Sequence, residues 1–142
     1  MSGTSTANSA ALVSRALAPH RDRLARDSVA FTRASLAMAK AQLGSRGAAN
    51  AASPRRDATL QALAKWQDEV ARALKSVRAV DGHATGRRKA VGWLTTLQHA
   101  LESIRKAMTL SDARAAAKAA KAAQHEFDVA HGLAAQLAKV LA

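Results

Sequence analysis

The residues able to do chemistry in this chain are few and loosely grouped. His99 and Glu102 stand three apart, as do His125 and Asp128, and again Asp128 and His131. That spacing places a histidine and an acid one helical turn apart. Facing helices of a carboxylate-bridged di-iron bundle hold their metal with such pairs. Helical angles speak against it here. At about 100° per residue, His99 and Glu102 lie roughly 130–170° from the centre of the stripe formed by Leu94, Leu97, Leu101 and Ile104. His125 and Asp128 turn away from Phe127 and Leu137 in the same way, and His131 sits on the flank. The expectation is a set of solvated surface residues, with no metal and no cofactor.

Catalytic motifs are equally sparse. The chain has no Gly-x-Ser-x-Gly elbow, no phosphate-binding glycine loop and no His-Glu-x-x-His. The absence of cysteine excludes a disulfide scaffold, a thiolate zinc site and a cysteine nucleophile. No small-molecule substrate is indicated. The expectation is that the protein is not an enzyme, the remaining route being an active site assembled from several helices.

Charge is the stronger signal. Lys and Arg number 22 against 10 Asp and Glu, giving a formal net charge of +12. Arg87, Arg88 and Lys89 stand at the start of an expected helix, where the helix dipole disfavours cations. Arg55 and Arg56 do the same after Pro54, offset in part by Asp57. A broken local rule invites a functional explanation, and a helix start carrying arginines suits an anion. A second basic stripe, Arg114, Lys118 and Lys121 with His125 after them, faces away from the apolar side of the last helix. For that stripe a solvated face is the simpler reading.

The elements that must position these residues follow from punctuation and period. Breaks fall at 44–53, at 81–86 and at 109–111, with Ser53-Pro54 and Ser111-Asp112 offering a cap at the start of the next helix. Gly82 and Gly86 read as a C-cap followed by a turn. Between the breaks the apolar spacing is three and four residues, as in Leu60, Leu63, Val70, Leu74 and Val77, with Gln67 and Ala71 between them. The third helix shows Leu94, Leu97, Leu101, Ile104 and Met108. The fourth runs from Ala116, Ala120 and Ala123 to Phe127, Ala130, Ala134, Leu137 and Leu141. Trp66 and Trp93 lie at the edges of their stripes, as boundary packing or as anchors for a partner.

These patterns predict an all-α, single-domain, antiparallel up-down four-helix bundle over 10–142, with helices at 20–43, 54–80, 87–109 and 112–141. An extra turn or two is expected at 9–18, with Pro19 breaking or kinking the chain there. Residues 1–9, rich in Ser and Thr, read as a disordered tail. No secretory signal pattern and no apolar run of about 18 residues occurs, so a cytoplasmic protein without a membrane span is the expectation. Apolar residues make up 49%, but 38 of them are alanine, so small faces that pack closely must supply much of the core.

In an up-down bundle the start of the first helix, the end of the second, the start of the third and the end of the fourth share one pole. That pole would gather Arg21, Arg23, Arg26, Lys75, Arg78, Arg87, Arg88, Lys89 and Lys139 against Asp22, Asp27 and Asp81. The functional expectation is a non-enzymatic interaction or assembly module whose basic pole meets an acidic protein or another polyanion, or which self-associates. The alternative is a nucleic-acid binder using Arg and Lys on phosphates without sequence preference, because no base-reading motif and no aromatic interleaving accompanies the cations.

Overall fold

The structure, a computed structural model, describes residues 10–20, 54–109 and 112–141. Among them are four helical stretches and no strand: α1 at 10–20, α2 at Pro54–Arg78, α3 at Arg87–Thr109 and α4 at Ala113–Leu141. The expected tail at 1–9 and all but the first position of the expected helix at 20–43 lie outside the described residues. Arg21, Arg23 and Arg26 lie there too.

The chain is an all-α helical bundle in which α3 packs along both α2 and α4, more extensively along α4. Both pairs are antiparallel. Gln67 of α2 donates to Glu102 of α3, while the α2 C-terminus lies against the α3 N-terminus through Arg87. Ser103 of α3 donates to Glu126 of α4, while Gly86 just before α3 abuts Leu141 at the end of α4.

Local chemistry explains the ends. Pro54 occupies the first position of α2, where a missing N–H costs nothing. Asp112 caps α4: its carbonyl accepts from the Ala116 N–H at 2.9 Å and its Oδ1 from the Arg114 N–H at 3.3 Å. The end of α2 departs from expectation. It stops at Arg78, two residues before the predicted 80, and Gly82 is not its cap. Arg87 satisfies the terminal carbonyls instead, as described below. Gly86 serves the next helix, where it precedes α3 with φ +83° and its carbonyl accepts from the Ala90 N–H at 2.8 Å.

Pro19 does not break the helix, because α1 runs through it to residue 20. A proline withholds one N–H and leaves the Arg15 carbonyl without its helical partner. Arg15 and Pro19 are both exposed, so water can take that place. Val13 and Leu17, 0% and 1% exposed, anchor the preceding turns, so this segment joins the core.

The core follows the apolar spacing on α3, where Leu94, Leu97, Leu101, Ile104 and Met108 are all buried. On α2 the buried row is Leu63, Val70, Ala73, Leu74 and Val77; Ala71, expected between the apolar positions, is exposed. The reason is phase: Ala73 sits beside Leu74 on the inward arc, whereas Ala71 falls on the flank away from α3. Burying each of the larger aliphatic side chains contributes about 1.5–3 kcal/mol relative to leaving it exposed. On α4 the buried positions Ala116, Ala120, Ala123 and Ala130 carry almost no area of their own. Alanine loses no side-chain entropy and favours helix, and its small size lets α3 and α4 approach closely. Trp93 is 8% exposed within the core and Trp66 packs against it half-buried, so both serve as packing residues.

Candidate functional site

The loop between α2 and α3 is built by short-range bonds. Asp81 accepts from the His83 N–H through Oδ1 at 2.9 Å and from the Ala84 N–H through its carbonyl at 2.9 Å. Ala84 is buried and closes the turn onto the core. Gly86 then takes a left-handed conformation that L side chains rarely adopt, and a Cβ there would stand 2.9 Å from Leu141 Cδ2. The backbone conformation requires glycine at this position, while the Leu141 contact is with the far end of a flexible side chain that can turn aside.

Arg87 is where the structure corrects the sequence reading most. Its position at a helix start looked unfavourable. Its guanidinium, however, reaches back to the preceding helix, Nε donating to the Val80 carbonyl at 3.1 Å and Nη2 to the Arg78 carbonyl at 3.2 Å. A cation at a helix C-terminus meets the negative end of the dipole and the carbonyls that lack partners. Arg87 therefore acts as the C-cap of α2, and the apparent violation at α3 is a satisfied rule at α2.

The neighbouring cations have no such task. Arg88 and Lys89 on α3, Lys75 and Arg78 on α2, and Lys139 on α4 are all exposed. The antiparallel packing brings the last turns of α2 and α4 to the first turn of α3, so these five side chains share one end of the bundle with Arg87. Asp81 is the one carboxylate there among the described residues. The Arg87 N–H donates to the Ala84 carbonyl at 3.2 Å, and Gly86, lacking a side chain, offers no cap to the Arg88 and Lys89 N–H groups that follow.

The second stripe, Arg114, Lys118 and Lys121 with His125, is exposed along α4. It sits toward the opposite end, joined there by the exposed Arg105 and Lys106 of α3.

His99, His125, Asp128 and His131 are exposed, and no group of three His, Asp or Glu among the described residues is placed to hold a metal ion. Glu102 is not on a solvated face: it is half-buried in the α2–α3 seam, accepting from Gln67 Nε2 at 3.1 Å. It shares this habit with the chain's two other glutamates. Glu126 accepts from Ser103 Oγ at 3.2 Å between α3 and α4, and Glu69 pairs with His20 Nδ1 at 2.9 Å between α2 and α1. Each glutamate thus bridges two helices. Sequence reasoning missed this set because helix-to-helix register decides it; the one available sign was a lone Gln67 inside an apolar row.

No helix among the described residues is long and apolar enough to cross a membrane. Compared with known proteins, the chain matches no family model, no curated protein and no solved structure. What can be said of its role rests on its own charge distribution and packing.

Proposed function

We propose that the protein works by binding rather than catalysis, as a helical module whose basic end contacts a polyanion. One observation carries this reading. Lys75, Arg78, Arg88, Lys89 and Lys139 stand exposed together at the end of the bundle where Asp81 is the one described carboxylate. Five unpaired cations in one place repel each other, and a ligand bearing several negative charges relieves that repulsion.

A phosphate backbone is favoured over an acidic protein surface by the scarcity of exposed large apolar side chains among the described residues. Protein interfaces draw their affinity from buried aromatic and aliphatic side chains at the centre of the patch. Here both tryptophans are engaged with the core, and Leu12 and Val129 are the exposed large hydrophobic residues among those described. Recognition by charge alone gives binding without sequence preference.

The test is fluorescence anisotropy on a short mixed-sequence duplex, comparing the natural protein with an Arg88→Glu/Lys89→Glu variant. Both side chains are exposed, so the fold should survive the change. Affinity at low salt should drop on the order of tenfold or more. Equal affinity of the two proteins would overturn the reading.

A further inference from the structure

Among the described residues two glycines sit inside helices, Gly92 in α3 and Gly132 in α4. Packing requires neither, because a Cβ at either position would meet nothing within 4 Å. Backbone conformation requires neither, since Gly86 is the one described glycine with positive φ. Glycine is the poorest helix former after proline, and alanine is the best. In a chain with 38 alanines, two such glycines in open space break a local rule with no structural reason.

Both stand in columns of residues seven apart, which is two helical turns or about 10 Å. On α4 the column is Lys118, His125, Gly132 and Lys139. On α3 it is Gly92, His99 and Lys106, with Arg88 one turn before Gly92. A step of seven turns the side-chain direction by only about 20°, so each column keeps to one face. Every member is exposed except the half-buried Gly92. The helices are antiparallel, and the Ser103–Glu126 bond fixes their register. At that register like stands beside like: Lys106 and Lys118, His99 and His125, Gly92 and Gly132, and Arg88 and Lys139 are each within about 8 Å of the same height. Ser103 is turned about 40° from His99 and Glu126 about 100° from His125, in the same sense on antiparallel helices, so both columns flank one side of the seam. Asp128 is the exposed carboxylate nearest this face, turned about 60° from His125 on the side away from α3.

We infer that this face is a saddle for the sugar–phosphate ridge of a nucleic-acid duplex, which crosses α3 and α4 over Gly92 and Gly132. The inference rests on the polyanion reading above and extends its basic end, since Arg88 and Lys139 belong to both. On one side of the crossing the ridge meets Arg88 and Lys139, and on the other the ring N–H groups of His99 and His125. The next ridge, across a major groove about 12 Å wide, falls toward Lys106 and Lys118. Bare helix at the crossing lets the ridge come close enough for groups on both sides to reach it together. A duplex, stiff over about 150 base pairs, cannot bend around a side chain standing there.

The experiment follows anisotropy of a labelled mixed-sequence duplex at low salt and thermal melting of the same proteins. The variants are Gly92→Ala/Gly132→Ala, Gly132→Leu and, as a control, Ala138→Leu, an exposed position turned about 120° from Gly132. Both glycine variants should bind about tenfold more weakly, because lifting the ridge loses phosphate contacts on both sides of it. The double alanine variant should melt higher than the natural protein, and Ala138→Leu should bind as the natural protein does. Natural affinity in both glycine variants, with Arg88→Glu/Lys89→Glu weakened, would overturn the saddle and spare the polyanion reading. A lower melting temperature for the double alanine variant would overturn the saddle by giving the glycines a place in the fold. An equal loss of affinity for linear polyphosphate, which bends freely past a side chain, would overturn the assignment to a duplex. No duplex binding by the natural protein would overturn both readings.

Discussion

Replacing Arg87 by alanine separates a cation that holds the fold from its neighbours, which do not. Two guanidinium bonds are lost, one partly buried at 3.1 Å and one exposed at 3.2 Å. Buried charge-assisted bonds contribute about 1.5–3 kcal/mol, and water access to both carbonyls reduces this to about 0.5–1 kcal/mol each. The favourable placement of a cation at a helix C-terminus adds about 0.3–1 kcal/mol. The expected cost is about 2 kcal/mol, or a melting temperature lowered by about 4–8 °C in a chain of this size. Arg88→Ala and Lys89→Ala, whose side chains are exposed, should change stability by less than about 0.5 kcal/mol. Arg87→Lys keeps the charge but loses the planar fork, so it should fall between the two. Urea denaturation followed by helical circular dichroism measures all four variants. Equal stabilities of the Arg87→Ala and Arg88→Ala proteins would refute the capping role.

Other substitutions probe the packing. Gly86→Ala places a side chain at a φ of +83°, so it should destabilise by about 1–2 kcal/mol, whereas Gly82→Ala, with open space around it, should be nearly neutral. Ala123→Leu forces three extra carbons into the α3–α4 seam at a fully buried position and should cost about 1–3 kcal/mol or more; a stable variant would show that the two helices are not in close contact there. Asp112→Ala removes the α4 cap and should cost about 1 kcal/mol, while Asp112→Asn should keep most of it.

The parts of the fold that repeat along one helix were legible in the sequence. The α3 stripe from Leu94 to Met108 announces its buried face, and Pro54 and Asp112 announce where α2 and α4 begin. The parts that depend on two helices at once were not. Arg87 looked misplaced because its partners, the Arg78 and Val80 carbonyls, lie across a loop that only the folded chain closes. Glu102 looked solvated because its angle was measured against its own helix, without the Gln67 side chain that α2 brings to it. Pro19 suggests a break or a kink because local chemistry disfavours it within a helix, yet the helix continues to residue 20, with Val13 and Leu17 buried on the turns before it. The candidate site was legible as a collection of cations. Its division into a capping arginine, an exposed basic end and a second basic stripe toward the other end required the packing of the helices.

The central claim is that the exposed cations at the Arg88 end of the bundle contact a polyanion. The salt dependence of duplex binding tests it most directly. If the five exposed cations at the Arg88 end each neutralise a phosphate, log K should fall against log salt with a slope of about −4 to −5, as the release of counterions requires. Reversing Arg88 and Lys89 should make the remaining slope for that end shallower by about 2. A slope near zero, with affinity unchanged from low to high salt, would contradict the account.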